Sequence, residues 1–262
     1  MQLLMIGDVV GRPGRRACRV ELGPLIREHG IDLVIANGEN AAGGNGITRE
    51  VANELFACGI DVLTMGNHVW AKKEILNFID EELRILRPAN YPPGTPGVGY
   101  TCYRGRNNLK VGVVNVSGRV YLANLECPFR AMDRIIEDLR QYTPLVVVDF
   151  HAEATSEKIA LGWYLDGRAS AVLGTHTHVQ TADERVLPGG TAYISDVGMT
   201  GPRDSVIGVK TENVVQKFLT QMPRQFQVAS GPYQFNAVLL TLDPVSGKAL
   251  DIRRLQRYEQ IS

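Results

Sequence analysis

Short apolar runs alternate along the chain with longer amphipathic stretches. The runs are rich in β-branched residues and apolar on both faces, which predicts buried strands. They cover Leu3–Ile6, Leu33–Ala36, Val62–Met65, Val111–Val116, Leu145–Asp149, Ala171–Thr175 and Ala192–Ile194. Stretches typical of helices lie between them at Arg15–His29, Arg49–Cys58, Lys72–Leu83 and Arg130–Gln141. The alternation predicts βαβ units and an α/β fold with mainly parallel central strands flanked by helices.

The C-terminal part of the chain has a different pattern. Strand-like runs at Phe226–Val228, Ala237–Leu242 and Leu250–Leu255 are joined by turn sequences, which predicts antiparallel strands beside the core. Earlier, the segment 86–108 is rich in proline and glycine and predicts a surface excursion, either a small lobe or a lid. No shift in composition divides the chain, so residues 1–262 are predicted to form one domain.

Composition narrows the classes of function. The 28 basic and 28 acidic residues cancel, so the overall charge gives no support for stable nucleic-acid binding, which needs a basic surface. No apolar stretch is long enough for a membrane span, and no secretory signal precedes the first strand. The four cysteines form no CxxC pair, which argues against a cysteine-based zinc site. A cytoplasmic location is therefore expected, and homo-oligomerisation is expected from its frequency among soluble proteins.

Polar residues follow the predicted strands directly. They are Asp8, Glu39, Asn40, Asn67, His68, His151, His176 and His178. Because ligands of a parallel sheet bind at the carboxyl ends of its strands, we expect these side chains to share one edge. They include four of the five histidines in the chain. The fifth, His29, ends the first predicted helix and is expected at the surface.

The chemistry of this set favours a metal centre. Taken singly, Asp8 suits a turn or a helix cap, and His151 suits ordinary packing. His176 and His178 are two apart, so both rings face one side of an extended segment. Carboxylate, amide and imidazole donors without thiolate favour iron, manganese or zinc in a hydrolytic role. Seven candidate ligands exceed the needs of one ion and predict two ions sharing a carboxylate, which together clamp a phosphoryl group.

The order of these residues resembles the calcineurin-like metallophosphoesterase superfamily. The resemblance rests on the blocks Gly66-Asn67-His68 and Gly174-Thr175-His176-Thr177-His178, with the lone His151 between them. Two blocks depart from that pattern, since Asp8-Val9-Val10 lacks the usual histidine and Glu39 replaces the bridging aspartate. Val69 also stands where an acidic residue is usual. With these departures the chain resembles the YmdB branch of the superfamily.

The resemblance implies a layered metallophosphoesterase fold and hydrolysis of 2′,3′-cyclic nucleotides with iron or manganese. The donor set also allows zinc, and we expect a metal-bridging hydroxide to attack the phosphorus. Glu39 would bridge two ions, and Asn40 would take the place of the missing histidine. The first ion would be held by Asp8, Glu39, Asn40 and His178, and the second by Glu39, Asn67, His151 and His176. His68, beside the ligand Asn67, would face the substrate and protonate the leaving oxygen.

Two other functions stay open on the residues alone. A phosphomonoesterase or nucleotidase would use the same ligands, so the ligand set does not separate it from a diesterase. A regulatory, RNA-associated protein with weak catalysis is the second alternative. The neutral charge and the lack of an aromatic and basic cluster argue against direct RNA binding.

Overall fold

The computed structural model of the protein describes residues 1–260. The strands are β1 (Gln2–Ile6), β2 (Asp8–Val9), β3 (Leu33–Asn37), β4 (Val62–Thr64), β5 (Ile85–Leu86), β6 (Tyr100–Arg104), β7 (Lys110–Ser117), β8 (Val146–His151), β9 (Ala171–Thr175), β10 (Arg185–Val186), β11 (Ala192–Ile194), β12 (Met199–Pro202), β13 (Tyr233–Leu242) and β14 (Ala249–Tyr258). The helices are α1 (Gly11–His29), α2 (Arg49–Ala57), α3 (Pro128–Leu139), α4 (Thr155–Tyr164) and α5 (Thr211–Thr220), with a 3₁₀ helix at Lys73–Asn77.

The strands form two sheets. The first has the order β2-β12-β13-β1-β3-β4-β5, with β14 paired to β13. In it β1, β3, β4 and β5 run parallel, whereas β13 is antiparallel to β1, β12 and β14. The second has the order β10-β11-β9-β8-β7-β6, with four parallel central strands and an antiparallel strand at each edge. The prediction of mainly parallel sheets with antiparallel C-terminal strands is confirmed.

Three apolar clusters separate the layers. In β1, Leu3 and Met5 face the space between the sheets, whereas Leu4 and Ile6 face the outer cluster that includes residues of α1 and α2. A third cluster joins the second sheet to α3 and α4. The fold is therefore a four-layer arrangement of helices, sheet, sheet and helices. A central strand buried on both faces has no polar side, which explains the continuous apolar runs in the sequence.

One helix prediction is wrong. Lys72–Leu83 contains only the 3₁₀ helix and turns. Ile75, Phe78 and Ile79 have helical spacing, and all three are buried in the core. Phe78 and Ile79 both donate their N–H groups to the carbonyl of Ile75, so the chain folds back within one turn. A single turn delivers the three side chains to the core, and the apolar spacing needs no longer helix.

The C-terminal strand predictions have mixed outcomes. Ala237–Leu242 and Leu250–Leu255 lie within β13 and β14, an antiparallel pair. Phe226–Val228 is wrong as a strand, because within it only Val228 forms an isolated bridge, to Val209. Part of the segment 86–108 belongs to the second sheet as the edge strand β6, and its role as a lid stays a prediction. Among residues 1–260, no helix is long and apolar enough to cross a membrane.

Candidate metal centre

The carboxyl ends of strands from both sheets meet at one edge of the molecule. The first sheet and the loops that follow it supply Asp8, Glu39, Asn40, Asn67 and His68, and the second supplies His151, His176 and His178. Within each sheet, two neighbouring backbone segments approach closely at this edge. A Cβ atom on Gly7 would lie 1.8 Å from the carbonyl oxygen of Gly198, and one on Gly174 would lie 1.8 Å from that of Ser195. Glycine is therefore required at both positions.

The most compact group of donors surrounds the Nε2 atom of His151. This atom lies 3.0 Å from Asn67 Oδ1, 3.0 Å from His176 Nδ1 and 3.2 Å from Glu39 Oε1. Glu39, His151 and His176 can each turn one donor atom to a common point. A single proton on His151 cannot satisfy three neighbouring acceptors at once. This arrangement fits a metal cation, which accepts all four lone pairs together.

Asp8 provides a second indication of a cation. Its carboxylate is fully buried, and Oδ2 accepts a hydrogen bond from the backbone N–H of His176 at 3.1 Å. Oδ1 has no hydrogen-bond partner within residues 1–260. It lies 3.9 Å from His151 Nδ1 and 3.9 Å from His178 Nε2. A buried carboxylate oxygen without a donor is costly, and a cation between Asp8 and His178 would remove that cost.

Asn40 connects the remaining predicted residues. Its amide nitrogen lies 3.1 Å from His178 Nε2 and 3.3 Å from Glu39 Oε1. Its amide oxygen accepts a hydrogen bond from His68 Nδ1 at 2.9 Å. To present oxygen to a cation beside Glu39 and His178, the amide must turn by half a revolution. All eight predicted residues thus lie at one edge, and their individual roles stay predictions.

A buried chain of hydrogen bonds fixes the ring of His151. His151 Nδ1 lies 3.0 Å from the hydroxyl of Thr175, which in turn donates to Asp149 Oδ1 at 2.7 Å. Asp149 also accepts hydrogen bonds from Asn37 and Thr64. With the Thr175 hydroxyl committed to Asp149, its oxygen accepts the Nδ1 proton of His151. The Nε2 lone pair then faces the metal centre, as outer-layer partners of metal-binding histidines commonly arrange.

Glu153 holds the neighbouring ring. Its carboxylate lies 3.0 Å from His176 Nε2, so His176 faces His151 through Nδ1. Glu153, Asp149 and Thr175 were not among the residues predicted from the sequence. A signal for Asp149 was present, because Asp149 and His151 are two apart on β8 and share one face of the strand.

The two histidines of the last block have unusual backbone conformations. His176 has φ 100° and His178 has φ 67°, both in the region that favours glycine. The carboxylate of Asp196 holds the turn by accepting hydrogen bonds from the N–H and hydroxyl of Thr177, at 2.9 and 2.7 Å. Lys158 pairs with the same carboxylate at 2.8 Å. Strain of this kind collects at functional sites, where the surrounding structure maintains it.

Electrostatics make the centre attractive to positive charge. Burial raises the pKa of Asp8 to about 6. Burial also opposes ionisation of Glu39, but His151 and His68 outweigh it and lower the pKa of Glu39 to about 2. Burial disfavours the charged form of His151, yet Glu39 and Asp8 raise its pKa to about 9. Burial and His151 lower the pKa of His176 to about 4. With protein groups alone, the carboxylates hold a proton on His151 where a metal ion would supply the positive charge.

A cavity of about 960 Å³ opens from these residues. Its floor includes Glu39, His176 and His178, and His68 lies on its side. The side chain of His68 is 43% exposed and lines the cavity, so a ligand can reach it. The volume is at the upper end of the usual range for small-molecule sites. The arrangement can bring a ligand of nucleotide size into contact with the metal-binding groups.

Comparison with known proteins places the chain in a family. Residues 4–255 match the family model described as YmdB-like protein. A Bacillus subtilis protein named 2′,3′-cyclic-nucleotide 2′-phosphodiesterase is 49% identical over 97% of this chain and 96% of its own length. A crystal structure of a hypothetical protein from Thermus thermophilus is 46% identical with TM-score 0.93, and the alignment covers 99% of this chain and 100% of that chain.

A second solved structure, described as a novel phosphatase of Mycoplasma pneumoniae, is 32% identical with TM-score 0.92 and covers 98% of this chain and 93% of its own. Relatives named as phosphodiesterase and phosphatase, aligned over nearly their whole length, make this chain a hydrolase of phosphoesters. The match over residues 4–255 shows that the chain belongs to the YmdB-like family.

Proposed function

We propose that this protein is a dinuclear-metal phosphodiesterase that hydrolyses 2′,3′-cyclic nucleotides. The observation that carries the proposal is the grouping of Glu39, His151 and His176, whose donor atoms can hold one metal ion, with Glu39 and His176 lining an open cavity. The Bacillus subtilis relative, whose name gives this activity, supports the choice of substrate.

Two ions would share Glu39, whose Oε1 atom lies between the two groups of donors. Asp8, Asn40 and His178 complete the first group, and Asn67, His151 and His176 complete the second. Ions held by these residues would activate a water molecule and would offset the charge of the phosphoryl group. Nitrogen and oxygen donors without thiolate suit iron, and manganese or zinc would also fit.

His68 is proposed as the catalytic acid. Its Nδ1 atom lies 2.9 Å from the Asn40 amide, and its backbone N–H donates to Glu39 Oε2 at 3.0 Å. When Asn40 turns its oxygen to a metal ion, its amide N–H group would donate to His68 Nδ1. The ring proton then lies on Nε2, the nitrogen that serves the substrate. Transfer of its proton to the leaving ribose oxygen would contribute roughly 10²–10⁴-fold to the rate.

Metal analysis combined with a substrate panel tests the proposed function. We expect about two ions per chain and faster turnover of 2′,3′-cyclic AMP than of p-nitrophenyl phosphate. Preference for the monoester would favour a phosphatase, the activity for which the Mycoplasma pneumoniae structure is named. Metal-loaded protein that cleaves neither compound would contradict the proposal and favour a regulatory role.

A His68→Ala variant tests the acid. We expect kcat for 2′,3′-cyclic AMP to fall roughly 10²–10⁴-fold while the metal content stays that of the wild type. His29→Ala is the matched control, because His29 ends α1 away from the cavity. Full activity in the His68 variant with both metals bound would show that the leaving oxygen receives its proton elsewhere.

The predicted setting of the enzyme also belongs to this proposal. We place it in the cytoplasm as a homo-oligomer without stable nucleic-acid or membrane partners, and these statements stay predictions. Light scattering of the purified chain tests the oligomeric state directly. A monomer at micromolar concentration would show that the oligomer prediction is wrong.

A further inference from the structure

The wall of the cavity that rises beside the metal-binding groups is apolar and aromatic. It is built from the turn Val206–Val209, the side of α5 that carries Lys217 and Phe218, and the segment Gln225–Val228. Phe226 is 48% exposed and Phe218 is 73% exposed. Aromatic rings left open to water cost free energy unless a ligand covers them. An apolar wall next to a polar floor is typical of a site for a ligand with two chemically different ends.

Backbone contacts fix this wall relative to the floor. Val209 and Val228 form a β-bridge, and the N–H of Lys210 donates to the carbonyl of Gln227 at 2.9 Å. His178 Nδ1 donates to the carbonyl of Ile207 at 2.9 Å. The backbone of the wall is thus tied directly to a predicted metal ligand.

Phe226 presents a ring that suits stacking. Lys217 Nζ lies 4.7 Å from the centre of the Phe226 ring, a cation–π contact that orients it. Every nucleobase has a flat π-face, and bases stack on protein aromatic rings without requiring a particular sequence. Lys217 and Lys72 also place two positive charges on the cavity lining, which suits a ligand that carries a phosphate.

We propose that Phe226, with Phe218 at the rim, forms a nucleobase subsite that selects nucleotides over other phosphoesters. The inference rests on the proposed function, because it assumes that the phosphoester end of the ligand lies on the metal-binding floor. A protein partner fits the geometry less well, since the rings line the same cavity that ends at Glu39 and His176. The ligand is therefore a small molecule with a phosphoester at one end and a flat base at the other.

The test compares two cyclic phosphodiesters, 2′,3′-cyclic AMP and the base-free 1,2-cyclic phosphate of glycerol. Phe226→Ala is expected to lower the ratio of kcat/KM for the nucleotide over the base-free compound about tenfold, as for loss of one stacked base. Phe226→Leu keeps an apolar side chain without the π-face and is expected to lower the ratio as well. Leu250→Ala, an exposed residue of β14 outside the cavity, is the matched control and should keep the wild-type ratio.

A binding measurement separates the subsite from the catalytic proposal. Calorimetry with adenosine 3′-monophosphate and ribose 3-phosphate should show tighter binding of the nucleotide to the wild type, and Phe226→Ala should remove most of that difference. This outcome would support the subsite even if the enzyme cleaves neither cyclic compound. Equal effects of Phe226→Ala on both substrates, or equal binding of both ligands by the wild type, would overturn the inference.

Discussion

Thr175→Val tests how the protein orients its predicted metal ligands. Thr175 is fully buried, and its hydroxyl lies 3.0 Å from His151 Nδ1 and 2.7 Å from Asp149 Oδ1. Valine has nearly the same shape but no hydroxyl, so the change removes two hydrogen bonds at little cost in packing. His151 loses the acceptor that holds its proton on Nδ1, and its Nε2 lone pair is no longer directed at the metal.

The expected magnitude follows from those two bonds. Loss of the partner that orients a metal-binding histidine typically weakens metal affinity about 10–100-fold. That range corresponds to about 1.4–2.8 kcal/mol. The metal-free protein should also lose about 1–3 kcal/mol of stability, because a buried ring N–H is left without an acceptor. Asp149 Oδ1 also loses its donor, but Oδ2 keeps the hydrogen bonds from Asn37 and Thr64, so the fold should persist.

Competition with a chelator measures the affinity for Mn²⁺, and urea unfolding of metal-free protein measures the stability. Thr175→Ser restores the hydroxyl and should recover most of the affinity. Thr64→Val removes a different hydrogen bond to Asp149 without touching His151, so it should affect stability more than affinity. Wild-type affinity in Thr175→Val, or an equal loss in Thr64→Val, would refute the reasoning.

Two further predictions concern the same centre. Gly66→Ala should abolish metal retention through gel filtration, because its Cβ would lie 2.3 Å from His151 Nε2 and 2.5 Å from Glu39 Oε2. Gly23→Ala on α1 is the control. A Gly66→Ala protein that keeps its metal would show that this steric clash does not prevent metal binding. Metal binding at pH 7.5 should release a proton, since the pKa of His151 is raised to about 9. The affinity for the metal should then rise by about tenfold per pH unit up to that value. Calorimetry in buffers of different ionisation enthalpy measures the number of protons released, and a value of zero would contradict the prediction.

The sequence predicts the layers, and the sheet edge that carries the site, because burial determines which positions of a strand are apolar. A strand such as β1, covered on both faces, is apolar throughout, and the polar residue after it marks where the sheet meets solvent. Histidine is rare in this chain, so four histidines at predicted strand ends are the strongest indication of where the site lies.

Other features of the structure do not follow from the pattern of apolar and polar residues. Helical spacing at Ile75, Phe78 and Ile79 is also met by a single 3₁₀ turn, and only tertiary packing decides between the two. The aromatic wall depends on Ile207, a β-branched residue with φ 45°, which a pattern of polarity does not predict. The sequence likewise does not reveal which nitrogen of His151 or His176 faces the centre. That choice depends on Thr175 and Glu153, whose contacts appear only in the fold.

The donors of the centre are divided between two separate sheets, and this division links the core to the chemistry. Asp8 and Glu39 belong to the first sheet and the loops that follow it, whereas His151 and His176 belong to the second sheet and the loop after it. The apolar side chains between the sheets, such as Met5 and Val147, set how far apart those layers stand. The packing of that inner core therefore sets the distance between the metal-binding groups of the two sheets. A metal ion bound by donors from both sheets would in turn cross-link the two sheets.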